Sequence, residues 1–212
     1  MIRIGIDFSL NSPAVTVETE KEIRFFSFFN VDNYEWDRPN PLKKFKMHNE
    51  ISSYVCMKPY SRQKNSQWTY AEEQSAKMSD AEFISKYIIN TLDEYLTSDT
   101  IVSLEGFAFA SSGSSFIDLI LFNSFLRKDL IDKIGSEHVE IVAPASAKKL
   151  AGKGNADKEY MVNAFLNDVL NDNKLTNTDF YKYLSSIEID FKNIKPIDDI
   201  VDSYFIMKSQ KK

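Results

Sequence analysis

Residues 2–29 read IRIGIDFSLNSPAVTVETEKEIRFFSFF, and this stretch decides the fold. Isoleucines at positions 2, 4 and 6 alternate with other residue types, which predicts a strand that ends at Asp7. The sequence NSP at residues 11–13 is a turn signal. Residues 14–18 and 23–29 are predicted to form two further strands, joined by a tight charged turn. We therefore predict that the chain opens with a three-stranded antiparallel meander.

Beyond this meander, the apolar periodicity predicts alternating helices and strands. Residues 79–96 carry apolar side chains on one helical face, and Ser79 with Glu82 is a candidate capping box. The stretch 31–70 breaks the pattern, and we interpret it as a basic and aromatic insertion, irregular but for one short helix. Further helices are predicted at 116–134, 158–170, 180–184 and 197–208, and buried strands at 101–104 and 139–142. This order is typical of a mixed α/β sheet in a single domain, residues 1–212.

The net charge of −5 hides an uneven distribution of basic residues. Residues 38–64 contain seven arginines and lysines against Glu50 alone, and three of the seven are Lys43, Lys44 and Lys46. A second basic cluster comprises Lys148, Lys149, Lys153 and Lys158. A locally basic face can bind phosphate groups even when the total charge is negative, so nucleic acid stays a possible partner.

Several classes of protein are excluded by composition. Cys56 is the only cysteine, which excludes an intramolecular disulfide and a cysteine-rich zinc site, and fits a reducing compartment. No apolar run is long enough to span a bilayer, and the first residues do not resemble a signal peptide, so we expect an intracellular, cytoplasmic protein that does not bind membranes. There is no Gly-x-Ser-x-Gly nucleophile motif and no Walker A loop.

Four carboxylates stand at positions where they could form one acidic centre. Asp7 ends the first strand, and Glu105 ends the strand after the first long helix. Asp199 and Asp202 are three residues apart on the last helix and share one face. If the two strands are neighbours, all four side chains meet, and such a cluster needs cations such as Mg²⁺ or Mn²⁺ between its oxygens. A pair of these ions can hydrolyse a phosphodiester. The alternative is that the acidic residues are ordinary turn formers and helix caps.

The segment APASAKKLAGKGNADKEYMVNAF, residues 143–165, resembles a signature of the RuvC family of Holliday-junction resolvases. It contains a Lys-rich turn followed by the pattern Gly-x-Gly-x-Ala-x-Lys, here residues 152–158. The segments IGIDFSLNSPAV, IVSLEGFAFA and DDIVDSYFIM resemble the parts of that family that carry its first Asp, its Glu and its last two acidic ligands. The order and separation of the four motifs match over nearly the whole chain.

This resemblance implies an RNase H-like fold, in which a mixed five-stranded sheet is flanked by helices. It implies a homodimeric endonuclease that cleaves branched DNA with Mg²⁺, for which Mn²⁺ could substitute. Asp7, Glu105, Asp199 and Asp202 would be both catalytic residues and metal ligands, and Lys158 would lie nearest the scissile phosphate. Two symmetric cuts need two active centres, and the broad apolar surface of the helix at 116–134 would suit a dimer partner.

The resemblance also suggests which residues would bind DNA. Lys148, Lys149 and Lys153 would bind phosphate, next to a loop whose Gly152 and Gly154 allow close backbone approach. In the family, an aromatic residue shortly after the Glu wedges at the crossover. Here Ala108 stands at that position, between Phe107 and Phe109. Lys43, Lys44 and Lys46 of the insertion could follow a second duplex arm, or the insertion could be a surface flap whose aromatics pack on the body.

The sequence departs from the bacterial pattern in its long insertion and in the NSP turn, which puts the substrate in question more than the metal chemistry. A viral or phage relative, active in the host cytoplasm, would fit.

Three rival functions stay open. One is a broader nuclease for forks and flaps, and another is a catalytically silent junction-binding protein on the same fold. A third is an actin-like or sugar-kinase ATPase, because IGIDFS also resembles that superfamily's first strand, although the chain is short for its two lobes.

Overall fold

The computed structural model describes residues 1–35, 45–46, 49–107, 113–191 and 194–211. Its first three strands are β1 (Ile2–Asp7), β2 (Ala14–Glu18) and β3 (Ile23–Asn30). β2 pairs antiparallel with both β1 and β3, and Val15 lies opposite Ile6 on one side and Phe26 on the other. The predicted opening meander is therefore confirmed.

The remaining strands extend this meander into one mixed sheet. Two short strands, β4 (Tyr34–Glu35) and β5 (Phe45–Lys46), pair separately. β6 (Cys56–Tyr60) lies parallel to β3, β7 (Thr100–Glu105) lies parallel to β1, and β8 (Val139–Val142) lies parallel to β7. The order of the large sheet is β6-β3-β2-β1-β7-β8.

The last five strands in that order, three antiparallel and then two parallel, form the predicted RNase H-like arrangement. The predicted number of strands was wrong, because the sheet has six. The sixth, β6, comes from the insertion that we expected to be irregular, and its backbone pairs with the free edge of β3. Cys56 begins this strand and is exposed.

Seven α-helices flank the sheet within the described residues. They are α1 (Tyr70–Thr91), α2 (Ser114–Ile134), α3 (Pro144–Leu150), α4 (Lys158–Leu166), α5 (Asn173–Thr176), α6 (Asp179–Ser186) and α7 (Ile197–Lys208). Short 3₁₀ turns lie at Asn49–Ser53, Asp93–Tyr95 and Ser136–His138. No helix in the described part of the chain is both long and apolar enough to cross a bilayer.

Several predicted helix boundaries were wrong, among them the end of α1, which lies at Thr91 and not at residue 96, and two others have a clear local reason. α1 begins nine residues before the predicted start, because Thr69 and Glu72, not Ser79 and Glu82, form the capping box. α4 ends at Leu166 and not at residue 170, shortly before Asp168, whose φ of 45° is not helical.

The two faces of the sheet carry separate cores. One face packs Ile4, Ile6 and Val15 against α1 and α2. The other face packs apolar residues such as Ala14 and Phe25 against the helices from α3 to α7. Because side chains alternate along a strand, β1 presents isoleucines to the first core and Gly5 to the second.

Gly5 determines how closely α7 approaches the sheet. A Cβ atom at this position would lie 2.2 Å from the carbonyl oxygen of Ser203 and 2.4 Å from the backbone nitrogen of Met207. The hydroxyls of Thr16 and Ser203 also meet, at 2.7 Å. α7 therefore lies directly on β1 and β2, which brings its acidic first turns to the end of β1.

Candidate metal centre

The four predicted carboxylates meet at one end of the sheet. Asp7 ends β1 and Glu105 ends β7, and these strands are parallel neighbours. Asp199 and Asp202 lie on the first turns of α7, which crosses β1. Burial raises the pKa of Asp7 well above its ordinary value, and the negative charges of the other three carboxylates raise it further.

Burial is the largest cause of the raised pKa of each of the other three carboxylates as well. Burial, then the charges of Asp199 and Glu105, raise the pKa of Asp202 to about 7. Burial also raises the pKa of Glu105, although the ammonium of Lys148 opposes this. The pKa of Asp199 is raised by burial in the same way. These four carboxylates therefore form a site with an excess of negative charge.

Sequence reasoning missed Lys195, which lies just before α7. Its ammonium forms an ion pair with Asp199 Oδ1, and it lies 3.2 Å from Asp198 Oδ2. Burial alone would lower the pKa of Lys195, but the charges of Asp199 and Asp198 outweigh burial and raise it. A signal was present in the sequence, because a lysine three and four residues before two aspartates is an i,i+3 and i,i+4 ion-pair pattern.

Ser12, from the NSP turn, is a second partner that sequence reasoning missed. Its hydroxyl donates a hydrogen bond of 2.7 Å to Asp199 Oδ2. The turn is braced by Ser9, whose hydroxyl accepts from the Ser12 backbone at 3.0 Å. Both carboxylate oxygens of Asp199 therefore have a partner, Ser12 on one side and Lys195 on the other.

Asp198 lies beside the four carboxylates and is only 2% exposed. Its Oδ2 atom accepts from Lys158 and faces Lys195. Its Oδ1 atom is buried and has no hydrogen-bond partner among the described residues. The N-cap residue of α7 is Pro196, and no side chain caps the helix, so Asp198 and Asp199 lie in its first turn but are not its caps.

The donor atoms of the acidic centre fit a hard divalent cation. They are all carboxylate oxygens, largely buried, and they repel one another. Within the described residues, no three His, Cys, Asp or Glu side chains are already arranged as a metal-binding group. In the described structure, the positive charge next to Asp199 is the ammonium of Lys195.

Two lysines of the second basic cluster, Lys148 and Lys158, lie beside the acidic centre. Lys158 opens α4, pairs with Asp198 and is mostly exposed. Lys148, on α3, lies near enough to lower the pKa values of Glu105 and Asp202, so it is a cation in direct electrostatic contact with the predicted ligands. Lys149 and Lys153 are exposed.

The glycine loop has a structural role of its own. Gly152 has a φ of 128°, and a Cβ atom there would lie 2.5 Å from the Tyr160 hydroxyl. The Lys153 ammonium lies 4.3 Å from the centre of the Tyr160 ring. The Asp157 carboxylate accepts from the Tyr160 backbone amide and so caps α4. The Tyr160 amide, in the first turn of α4, is therefore already hydrogen-bonded within the protein.

Phe107 packs against the protein. The Arg127 guanidinium lies 4.5 Å above its ring, and Phe116 contacts it edge-on at 5.9 Å. Arg127 also donates to the backbone oxygen of Glu105 at 3.0 Å. Phe109, Lys43 and Lys44 lie outside the described residues, as does the side chain of Lys46, so their predicted contacts with DNA stay predictions.

Comparison with known proteins found no matching family model and no matching curated protein. Three solved structures are similar in fold at low identity. Thermus thermophilus RuvC is 12% identical over 99% of this chain and 92% of its own, with a TM-score of 0.44. T. thermophilus RuvC in complex with Holliday junction substrate has the same identity and coverage and a TM-score of 0.45. The yeast mitochondrial Holliday junction resolvase Ydc2 is 15% identical over 97% of this chain and 75% of its own, with a TM-score of 0.48.

Proposed function

We propose that this chain is a metal-dependent endonuclease that hydrolyses phosphodiester bonds in branched DNA, with Holliday junctions as its main substrate. The observation that supports this most is the meeting of Asp7, Glu105, Asp199 and Asp202 at the ends of two neighbouring strands. Burial raises the pKa values of all four, and for Asp7 and Asp202 the charges of the other carboxylates raise them further, which reflects a local excess of negative charge. Such an excess is costly for folding and is typical of a site that binds a cation.

In this proposal the four carboxylates hold Mg²⁺, for which Mn²⁺ can substitute. When bound, Mg²⁺ would activate a water molecule and stabilise charge on the leaving 3′ oxygen. The expected products carry 5′-phosphate and 3′-hydroxyl ends. Ser12 holds one oxygen of Asp199 and so orients the carboxylate.

The lysines around the centre would bind the phosphates of the DNA. Lys148 already faces Glu105 and Asp202, and Lys149 and Lys153 are exposed on the same stretch of chain. Lys158 lies at the border of the acidic centre through its contact with Asp198. Positive charge directly beside the carboxylates would draw a phosphate towards them although the protein as a whole is acidic.

We also propose a homodimer. α2 buries Phe122 and Leu126 in the core but leaves Ile117 68% exposed and Ile120 37% exposed. Exposed apolar side chains on consecutive turns of a helix fit an isologous contact with a second copy. Two copies would supply the two centres that symmetric cleavage of a junction needs.

The test is a cleavage assay with labelled four-way, Y-shaped and linear DNA, with Mg²⁺ and with EDTA. We expect Mg²⁺-dependent cleavage of the branched substrates and none by Asp7→Asn. A similar rate on linear DNA would indicate a broader nuclease. The proposal fails if purified protein cleaves none of the substrates at any concentration of Mg²⁺ or Mn²⁺.

A catalytically silent junction-binding protein is the second candidate. The observation in its favour is that Lys195 pairs with Asp199, while the described carboxylates are not arranged as a metal-binding group. Gel-shift binding of four-way DNA that is equal in Mg²⁺ and EDTA, without any products, would support it.

A further inference from the structure

We propose that Lys195 is an internal competitor of the metal ion, which leaves Asp199 and turns to Asp198 when a divalent cation binds. This inference rests on the proposed function, because it concerns the same acidic centre. It gives roles to Lys195 and Asp198, which are not among the four predicted ligands.

The first observation concerns Asp199. Its Oδ2 atom accepts from Ser12 at 2.7 Å, and its Oδ1 atom forms an ion pair with the Lys195 ammonium. Both oxygens are therefore engaged, and the residue is almost completely buried. A cation can take Oδ1 of Asp199 only if the ammonium moves away.

The second observation is a receiving group for that ammonium. Asp198 is 2% exposed, and its Oδ1 atom is buried without a hydrogen-bond partner among the described residues. The Lys195 ammonium already lies 3.2 Å from the other oxygen of the same carboxylate. A change of lysine rotamer would shift the ammonium fully to Asp198, and a buried acceptor would gain the partner that it lacks.

The third observation is the charge of the site. Besides burial, the charges of the other carboxylates raise the pKa of Asp7 and Asp202, and the ammonium of Lys195 pairs directly with Asp199 in the same centre. In the metal-free protein this ammonium offsets part of their repulsion. The same charge repels an incoming cation and occupies one of its ligand atoms, so Lys195 should lower the affinity for metal and stabilise the metal-free fold.

The inference can be tested by calorimetric titration of the full chain with Mg²⁺ and Mn²⁺ in the absence of DNA. We expect Lys195→Met to bind Mg²⁺ roughly tenfold more tightly than wild type. Lys133→Met is the matched control: it removes the same charge from an ion pair with Asp93 and should change affinity less than twofold. Affinity of Lys195→Met equal to or weaker than that of wild type would overturn the inference.

Asp198→Asn provides a second test if Lys195→Met does not fold. It removes the charged acceptor for the displaced ammonium, so Mg²⁺ should bind several-fold more weakly. In the Lys195→Met background the same change should have a smaller effect, because there is no ammonium to receive. An equal effect in both backgrounds contradicts the competition.

The two proposals fail differently. Wild-type protein that binds neither Mg²⁺ nor Mn²⁺ would overturn the proposed function together with this inference. Wild-type protein that binds metal and cleaves DNA, with unchanged affinity in Lys195→Met, would overturn the inference alone.

Discussion

The two ends of α7 carry two groups of charged residues that differ in balance. At its start lies the acidic centre. At its end lies a second group, the balanced cluster, in which Lys208 contacts Glu18 and Asp172, each at 2.8 Å. Lys174 contacts Glu18 at 3.2 Å, and the Tyr204 hydroxyl donates to Asp172 at 3.0 Å. Two carboxylates therefore meet two ammonium groups.

The balance of charge decides what each group does. Burial would raise the pKa of Asp172, but the hydrogen bond and charge of Lys208 outweigh burial and lower it. In the acidic centre burial raises the pKa values of Asp7 and Asp202, and the neighbouring carboxylates raise them further instead of offsetting burial. In a balanced buried cluster each charge has a partner, and removing one partner destabilises the fold, whereas an unbalanced cluster carries the cost of uncompensated charge.

The largest expected difference between the two ends is in catalysis. Asp199→Asn should reduce cleavage of four-way DNA by on the order of 10³-fold, because it removes a metal ligand. Asp172→Asn, an identical chemical change, should alter the rate less than threefold. Initial rates measured well below the melting temperature of both variants check this. Similar losses in the two variants would refute the division of roles.

Gly5 lies under α7, between the acidic centre and the balanced cluster. Its substitution therefore tests whether both groups depend on the close packing of α7 on β1. Gly5→Ala places a methyl group within 2.2–2.4 Å of α7 backbone atoms, and we expect a loss of about 3 kcal/mol in the free energy of unfolding. Urea unfolding measures it, with Gly154→Ala as the control, since a Cβ there has only ordinary contacts. A change below about 1 kcal/mol would show that α7 can shift without cost.

The balanced cluster should contribute stability and no catalysis. Lys208→Met leaves Glu18 with one cation and Asp172 with none of its lysine contacts, and we expect a loss of about 2 kcal/mol. The free energy of unfolding at pH 7 in EDTA is the measurement. Lys182→Met, which removes an exposed pair with Asp179, is the control and should change stability by less than about 0.5 kcal/mol.

The acidic centre and the balanced cluster should make the free energy of unfolding depend on pH in opposite directions. Asp202 has a pKa raised to about 7, so the folded protein binds more protons than the unfolded chain between about pH 4 and 7. Its contribution therefore makes the metal-free protein less stable as pH rises through this window, by on the order of 4 kcal/mol. Asp172, with its lowered pKa, loses its contribution only as pH falls below about 4.

Unfolding in EDTA at pH 5, 6, 7 and 8 resolves this effect. Asp202→Asn should flatten the dependence and make the metal-free protein more stable than wild type at pH 8. A dependence that persists unchanged in Asp202→Asn would assign it to other groups.

Much of the fold could be predicted from local patterns in the sequence. The alternation of isoleucines predicted β1, and the spacing of apolar residues predicted α7 at its observed bounds, because strand and helix periods are properties of neighbouring residues. The start of α1 was missed because Thr69 with Glu72 was a better capping pair than the one chosen. β6 was missed because its partner, β3, lies outside any local window.

The sequence by itself determined which acidic residues are candidates, since strand ends and i,i+3 spacing are visible in it. Only the tertiary structure decided their charge balance. Ser12 and Asp199 are 187 positions apart, and Lys158 and Asp198 are 40 apart, so no local pattern relates them. α7 packs on β1 over Gly5. That packing brings several carboxylates together at the start of α7, and at the end of α7 it pairs other carboxylates with lysines. Electrostatic energy depends on distance in space, which is why the two ends of one helix differ in charge balance.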